Sequence, residues 1–199
     1  KRIDVLAGGT NVIYAPAVAA DGTETEVTSR KTLTAACKLT PKLFFRAAAQ
    51  LGAMNADTVG DSYVAIIHPY AAYDLKSNKD FIEISKYAHP EAIFNGEIGK
   101  LGNIRFVETS EAKIWKDDTC PVGMAVFGTL VIGAHAYGVT EVEGGGLEHI
   151  VKQLGYGDDP LNQRASIGWK GLKAAERLVE QYMVRIESLS SYSATAAAN

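Results

Sequence analysis

The chain has 199 residues, 47% of them hydrophobic and 22% charged, with a formal net charge of -3. These are the proportions of a globular protein, and the length allows one large or two small domains that hold a core without staples. The acidic balance argues against a histone-like or repressor-like protein, which needs a cationic excess or a basic stripe; here the densest basic grouping is Arg30-Lys31.

In chain order, Ile3 to Ala7 followed by Gly8-Gly9-Thr10-Asn11 reads as the end of a helix with a glycine C-cap. A helix this short does not stand alone, which predicts earlier turns upstream of Lys1. Residues 19–30 are polar and turn-rich, with Asp21-Gly22 the clearest turn. Thr40-Pro41 is a helix start, Thr as N-cap and Pro at the first helical position. Leu43, Phe44, Ala47, Ala48 and Leu51 then form one apolar stripe of a helix ending near Gly52. Tyr63-Val64-Ala65-Ile66-Ile67 reads as a buried strand covered on both faces, and His68-Pro69 opens a helix through Leu75.

Phe81, Ile84, Tyr87 and Ala88 predict another helix, broken before Pro90. Gly102-Asn103 is a turn leading into a strand at 104–107, and the apolar run 124–137 reads as one or two core strands. Leu147, Ile150, Val151 and Leu154 predict a short amphipathic helix capped by Gly155. The segment 166–187 ends in alternation, Tyr182, Val184 and Ile186 against Met183, Arg185 and Glu187, which is a strand. The small, polar tail 188–199 is expected to fray. Mixed elements without a βαβ repeat give an α+β class.

Candidate chemistry is thin. Gly60-Asp61-Ser62 is similar to the nucleophile block of one esterase class, but no histidine has the Asp three residues earlier that the class carries, and the motif precedes its strand. Gly96-Glu97-Ile98-Gly99-Lys100 falls two residues short of a Walker loop and places Leu101 where a hydroxyl should hold magnesium. Gly144-Gly145-Gly146 could offer amides to an anion, but Glu141, Glu143 and Glu148 surround it. His68, His89, His135 and His149 have no metal-ligand spacing, and Cys37 and Cys120 read as two buried free thiols. Trp115 and Trp169 read as core and interface anchors rather than as base-stacking platforms. The expected site list is therefore empty: no catalytic, cofactor-binding or metal residues, and no cofactor. No run approaches the ~20 apolar residues of a membrane helix, and Lys1-Arg2-Ile3-Asp4 has no signal-peptide character.

Longer strings carry more. Asp4-Val5-Leu6-Ala7-Gly8-Gly9-Thr10-Asn11-Val12-Ile13-Tyr14-Ala15 resembles the close of the spine helix in the major capsid proteins of tailed bacteriophages typified by coliphage N-four. Tyr63 to Pro69 with Asp74-Leu75, Gly96 to Lys100 running into Ile104-Arg105-Phe106-Val107-Glu108-Thr109, Gly138 to Gly146, Asp159 to Arg164, Gly168-Trp169-Lys170 and Tyr182 to Glu187 resemble the same family, in the same order.

The resemblance implies the Hong Kong 97-type (Johnson) fold: an axial domain at 32–137, and a peripheral domain drawn from 1–31 and 138–199. The N-terminal arm, extended loop and most of the spine helix of such subunits would lie before Lys1, so the chain corresponds to a C-terminal part. It further implies a non-enzymatic shell subunit that self-assembles, as hexamers and pentamers, into an icosahedral head around double-stranded DNA held non-specifically. Scaffolding, portal or decoration proteins are the further partners, and the host cytoplasm precedes the virion as its location. An encapsulin-like compartment shell is the alternative on the same fold, and a small serine hydrolase using Ser62 the alternative from another class.

Overall fold

The computed structural model describes residues 7–19, 21–79, 81, 99–140, 145–157 and 161–199. The helical expectations at 3–7 and 81–88 fall, Ala7 and Phe81 apart, outside that set. The chain divides into two units, 2–137 with 177–199, and 138–176.

The first unit is built on a seven-stranded sheet. Its strands are β1 (Val12–Tyr14), β4 (Tyr63–Ile67), β5 (Lys100–Leu101), β6 (Ile104–Glu108), β7 (Ile114–Trp115), β8 (Val126–Ile132) and β13 (Met183–Ser188). Two short strands, β2 (Ala17–Val18) and β3 (Glu24–Thr25), form a separate hairpin. The sheet order is β1-β13-β8-β4-β6-β5, with β7 on the far half of β8. β8 is buried at every position, as a strand with neighbours on both edges and cover on both faces must be. Residues 12–14 and 183–188 join this sheet from the two ends of the chain: β13 pairs antiparallel with β8 and parallel with β1.

Helix α1 (Pro41–Ala53) begins where Thr40-Pro41 predicts, although the Thr40 hydroxyl makes no capping bond. It buries Leu43, Phe44, Ala47 and Leu51 and packs on β13 and β8. Phe44 meets Phe106 of β6 edge to face, ring centres 4.9 Å apart. Helix α2 (Pro69–Ser77) starts at Pro69, and the His68 ring caps it by accepting the Tyr70 N–H at Nδ1, 3.2 Å. Across β4, Tyr63, Ala65 and Ile67 are buried, while Val64 and Ile66 are only half-buried. The second face of the sheet is thus less covered than expected, and Val64, Ile66, Val107, Ile132 and Tyr137 line an open depression of about 460 Å³.

The tail is the clearest departure. Instead of fraying, residues 189–199 are laced onto the sheet and α2. Ala125 N–H donates to Ala194 O at 2.7 Å, and the Asn199 side chain accepts from Ile114 N–H and donates to Ala112 O. Asp74, buried on α2, accepts the Ser191 N–H at 2.9 Å as well as its hydroxyl. Small polar residues look disordered by composition, but their backbone and hydroxyl groups bond wherever a surface offers partners.

The second unit carries a ribbon of β10 (Glu148–Lys152) and β11 (Ser166–Lys170), antiparallel over five pairs. The helix expected over 147–154 is therefore a strand. Its apolar spacing is helical, but the segment is short, contains the β-favouring Ile150-Val151, and finds a partner in 166–170. Gly155 lies at φ +78° in the turn after the strand rather than capping a helix. The remaining pair, β9 (Tyr137–Val139) and β12 (Ala175–Arg177), is continued by Thr140 and Ala174.

Candidate functional site

Within each unit, the described residues of the motifs singled out in the sequence are not brought together. Gly60-Asp61-Ser62 is a tight turn into β4, with Gly60 at φ +72°, Val59 N–H donating to Ser62 O, and Ser62 only 4% exposed. Ser62 and His68 bracket β4, so roughly 20 Å of extended chain separates them. The His68 ring sits between Tyr70 and Phe127, and burial holds its pKa below the ordinary value. Gly96 to Ile98, His89 and Gly144 lie outside the described residues. Gly145-Gly146 leads into a strand, so no helix N-terminus presents amides there. Cys37 and Cys120 are free and buried, and burial raises the Cys120 thiol pKa. Among the described residues no group of three or more His, Cys, Asp or Glu side chains is placed to hold a metal, and no helix is long and apolar enough to cross a membrane.

Two other arrangements stand out, and the first is a buried charge cluster. Glu187 on β13 is fully buried, and Arg30 grips it in a fork, Nη2 to Oε1 at 2.6 Å and Nε to Oε2 at 2.7 Å. Arg185 Nε lies 2.8 Å from the same Oε1 but off the hydrogen-bond axis, so that contact is Coulombic. Arg185 Nη1 donates to Ala7 O at 2.6 Å. Both guanidinium groups stack on Trp115 of β7, 4.2 and 5.1 Å from its ring centre. The ring has room because residue 128 on β8 is glycine; a Cβ there would sit 2.5 Å from Cζ3. The bonds to Glu187 raise the Arg30 pKa, whereas desolvation lowers that of Arg185. The cluster ties Ala7, the 30–32 turn, β7, β8 and β13 at one place. Sequence reading missed it, although two charges alternating through the apolar strand 183–188 were the available signal.

The second arrangement is the open ribbon. β11 is exposed at all five positions, with Trp169 73% and Ile167 81% exposed. Trp115 is thus packing material beneath two cations, and Trp169 is surface.

The sequence model of the phage capsid protein family matches residues 2–125. The chain belongs to that family. No curated protein matches. Among solved structures, this capsid-family chain is similar to the capsid of Ralstonia phage GP4, with 15% identity and a TM-score of 0.63 over 91% of its own length and 53% of that chain. It is similar to the acid-stable capsid of Helicobacter pylori bacteriophage KHP30, with 13% identity and a TM-score of 0.61 over 94% and 64%. A weaker likeness links it to the holo-SrpI encapsulin complex of Synechococcus elongatus, 8% identity and a TM-score of 0.50 over 95% and 56%. The capsid-family chain therefore has the Hong Kong 97-type α+β fold and spans just over half to about two thirds of the length of the phage capsid chains it matches.

Proposed function

We propose that this chain is the shell-forming C-terminal part of a major capsid subunit of the N-four-like kind. In this reading many copies tile an icosahedral head around phage double-stranded DNA, and the role is structural and non-enzymatic. The observation that carries it is the family match over 2–125 together with fold likeness to capsid chains over at least nine-tenths of the chain. In this reading the larger unit is the axial domain, centred on 32–137 with β1 and β13, and the ribbon of 138–176 belongs to the peripheral domain. Symmetry lets weak contacts between copies close a stable shell. The net charge of -3 suits a wall that holds DNA without gripping phosphates. Scaffolding, portal and decoration proteins are the further partners, and the host cytoplasm is where the subunits meet before they become the virion wall.

The encapsulin reading shares the fold and has the weaker likeness. Density-gradient sedimentation of host lysates separates the two. Peptides of this chain should co-sediment with particles holding nuclease-protected DNA; particles holding an enzyme and no DNA would support the compartment instead, and peptides remaining in the soluble fraction would sink both.

A further inference from the structure

We propose that one face of the β10–β11 ribbon is a self-association surface, covered by the same face of a second copy of this chain. The inference rests on the shell reading and names a surface for it. The register sets His149 opposite Trp169 and Val151 opposite Ile167, so these four side chains share one face. The other face carries Glu148, Lys152 and Lys170 around a half-buried Ile150, with Lys170 Nζ 2.8 Å from Glu148 Oε2. Charge is thus confined to one side, and the exposed apolar side chains Val151, Ile167 and Trp169 lie on the other.

Trp169, Ile167 and Val151 are 73, 81 and 64% exposed. Together they present ~400 Å² of apolar surface per copy, the size of the largest apolar patch on an ordinary monomer. Two copies face to face would cover about 800 Å² from these residues, roughly half of a standard interface. Leu147, 67% exposed at the ribbon's base two positions before His149, can add to it. A charge-free centre with an aromatic anchor is the composition of an interface core. A two-stranded ribbon is marginal alone in water, so its apolar face needs a cover to hold five pairs in register. A second copy fits because the face is self-complementary: Trp169 of each copy can lie over the Val151–Ile167 pair of the other.

The test is sedimentation velocity over a concentration series on the 199-residue chain and on the Trp169→Ser/Ile167→Ser variant, with circular dichroism confirming the fold. The wild-type chain should associate, and the double variant should weaken association at least tenfold. A Val151→Cys variant should cross-link between copies with a short bismaleimide, while Val122→Cys, at a 97% exposed position of the other unit, should not. Wild-type-like association of the double variant, equal cross-linking at both positions, or a wild-type chain monomeric throughout would each overturn the proposal. If DNA-filled particles still form from the double variant, this surface is wrong and the shell reading stands. If the chain is absent from particles altogether, the shell reading fails whatever the ribbon does.

Discussion

Replacing Glu187 with Gln keeps the shape of the buried cluster and removes the carboxylate that both guanidinium groups share. The side chain of Glu187 is 0% exposed, and those of Arg30 and Arg185 are 16 and 15% exposed, so water cannot replace the lost anion. Breaking a buried pair from one side costs about 3–5 kcal/mol. The exposed Lys42–Glu24 bridge, also 2.6 Å long but with side chains 73 and 39% exposed, sets the comparison; such a pair is worth about 0–1 kcal/mol. With lengths equal, burial and the second bond of the Arg30 fork are the causes of the difference. For a chain of this size, 3–5 kcal/mol lowers Tm by roughly 6–20 °C. Urea unfolding followed by tryptophan fluorescence would compare Glu187→Gln and Glu24→Gln with wild type. A Glu187→Gln variant within about 1 kcal/mol of wild type would refute the argument that this charge is buried and paired.

Gly128→Ala should force Trp115 from beneath Arg30 and cost about 1–3 kcal/mol, read in the same urea experiment; a neutral result would show that the ring moves freely. His68 has its pKa lowered by burial from 6.5, so the fold favours the neutral ring. Stability should therefore be full above pH 6.5 and fall as pH drops through the folded pKa, and His68→Asn, which keeps an acceptor for the cap, should flatten that slope in urea midpoints taken from pH 7.5 to 5. Asp74→Ala should release the Ser191 segment, costing about 1.5–3 kcal/mol and raising amide exchange across 190–199 while β8 exchange stays slow.

Legibility in the sequence followed the range of the forces involved. The α1 stripe, the β4 run and the Gly102 turn are local, punctuated by Pro41, Pro69 and a glycine at φ +57°, and each lies where pattern and turn chemistry place it. β1, β2 and β3 are two or three residues long, too short for a period to show, and β1 exists because β13 gives it a partner from the far end of the chain. Residues 147–154 carry helical spacing, and pairing with 166–170, which no local pattern shows, overrides it. The charge cluster lay beyond local reading, since Arg30 and Glu187 are 157 positions apart. Arg185 and Glu187 fall on one side of an alternating strand, and that alternation reveals the shared face without naming the partner.

Cryo-electron microscopy of particles from lysed host cultures, with peptide mass spectrometry to locate this chain, tests the shell reading most directly. The wall should be icosahedral, with a repeating subunit that accepts the seven-stranded sheet with α1 on one face, and should enclose double-stranded DNA. A wall of some other protein, with peptides of this chain found only in the soluble fraction, would contradict it.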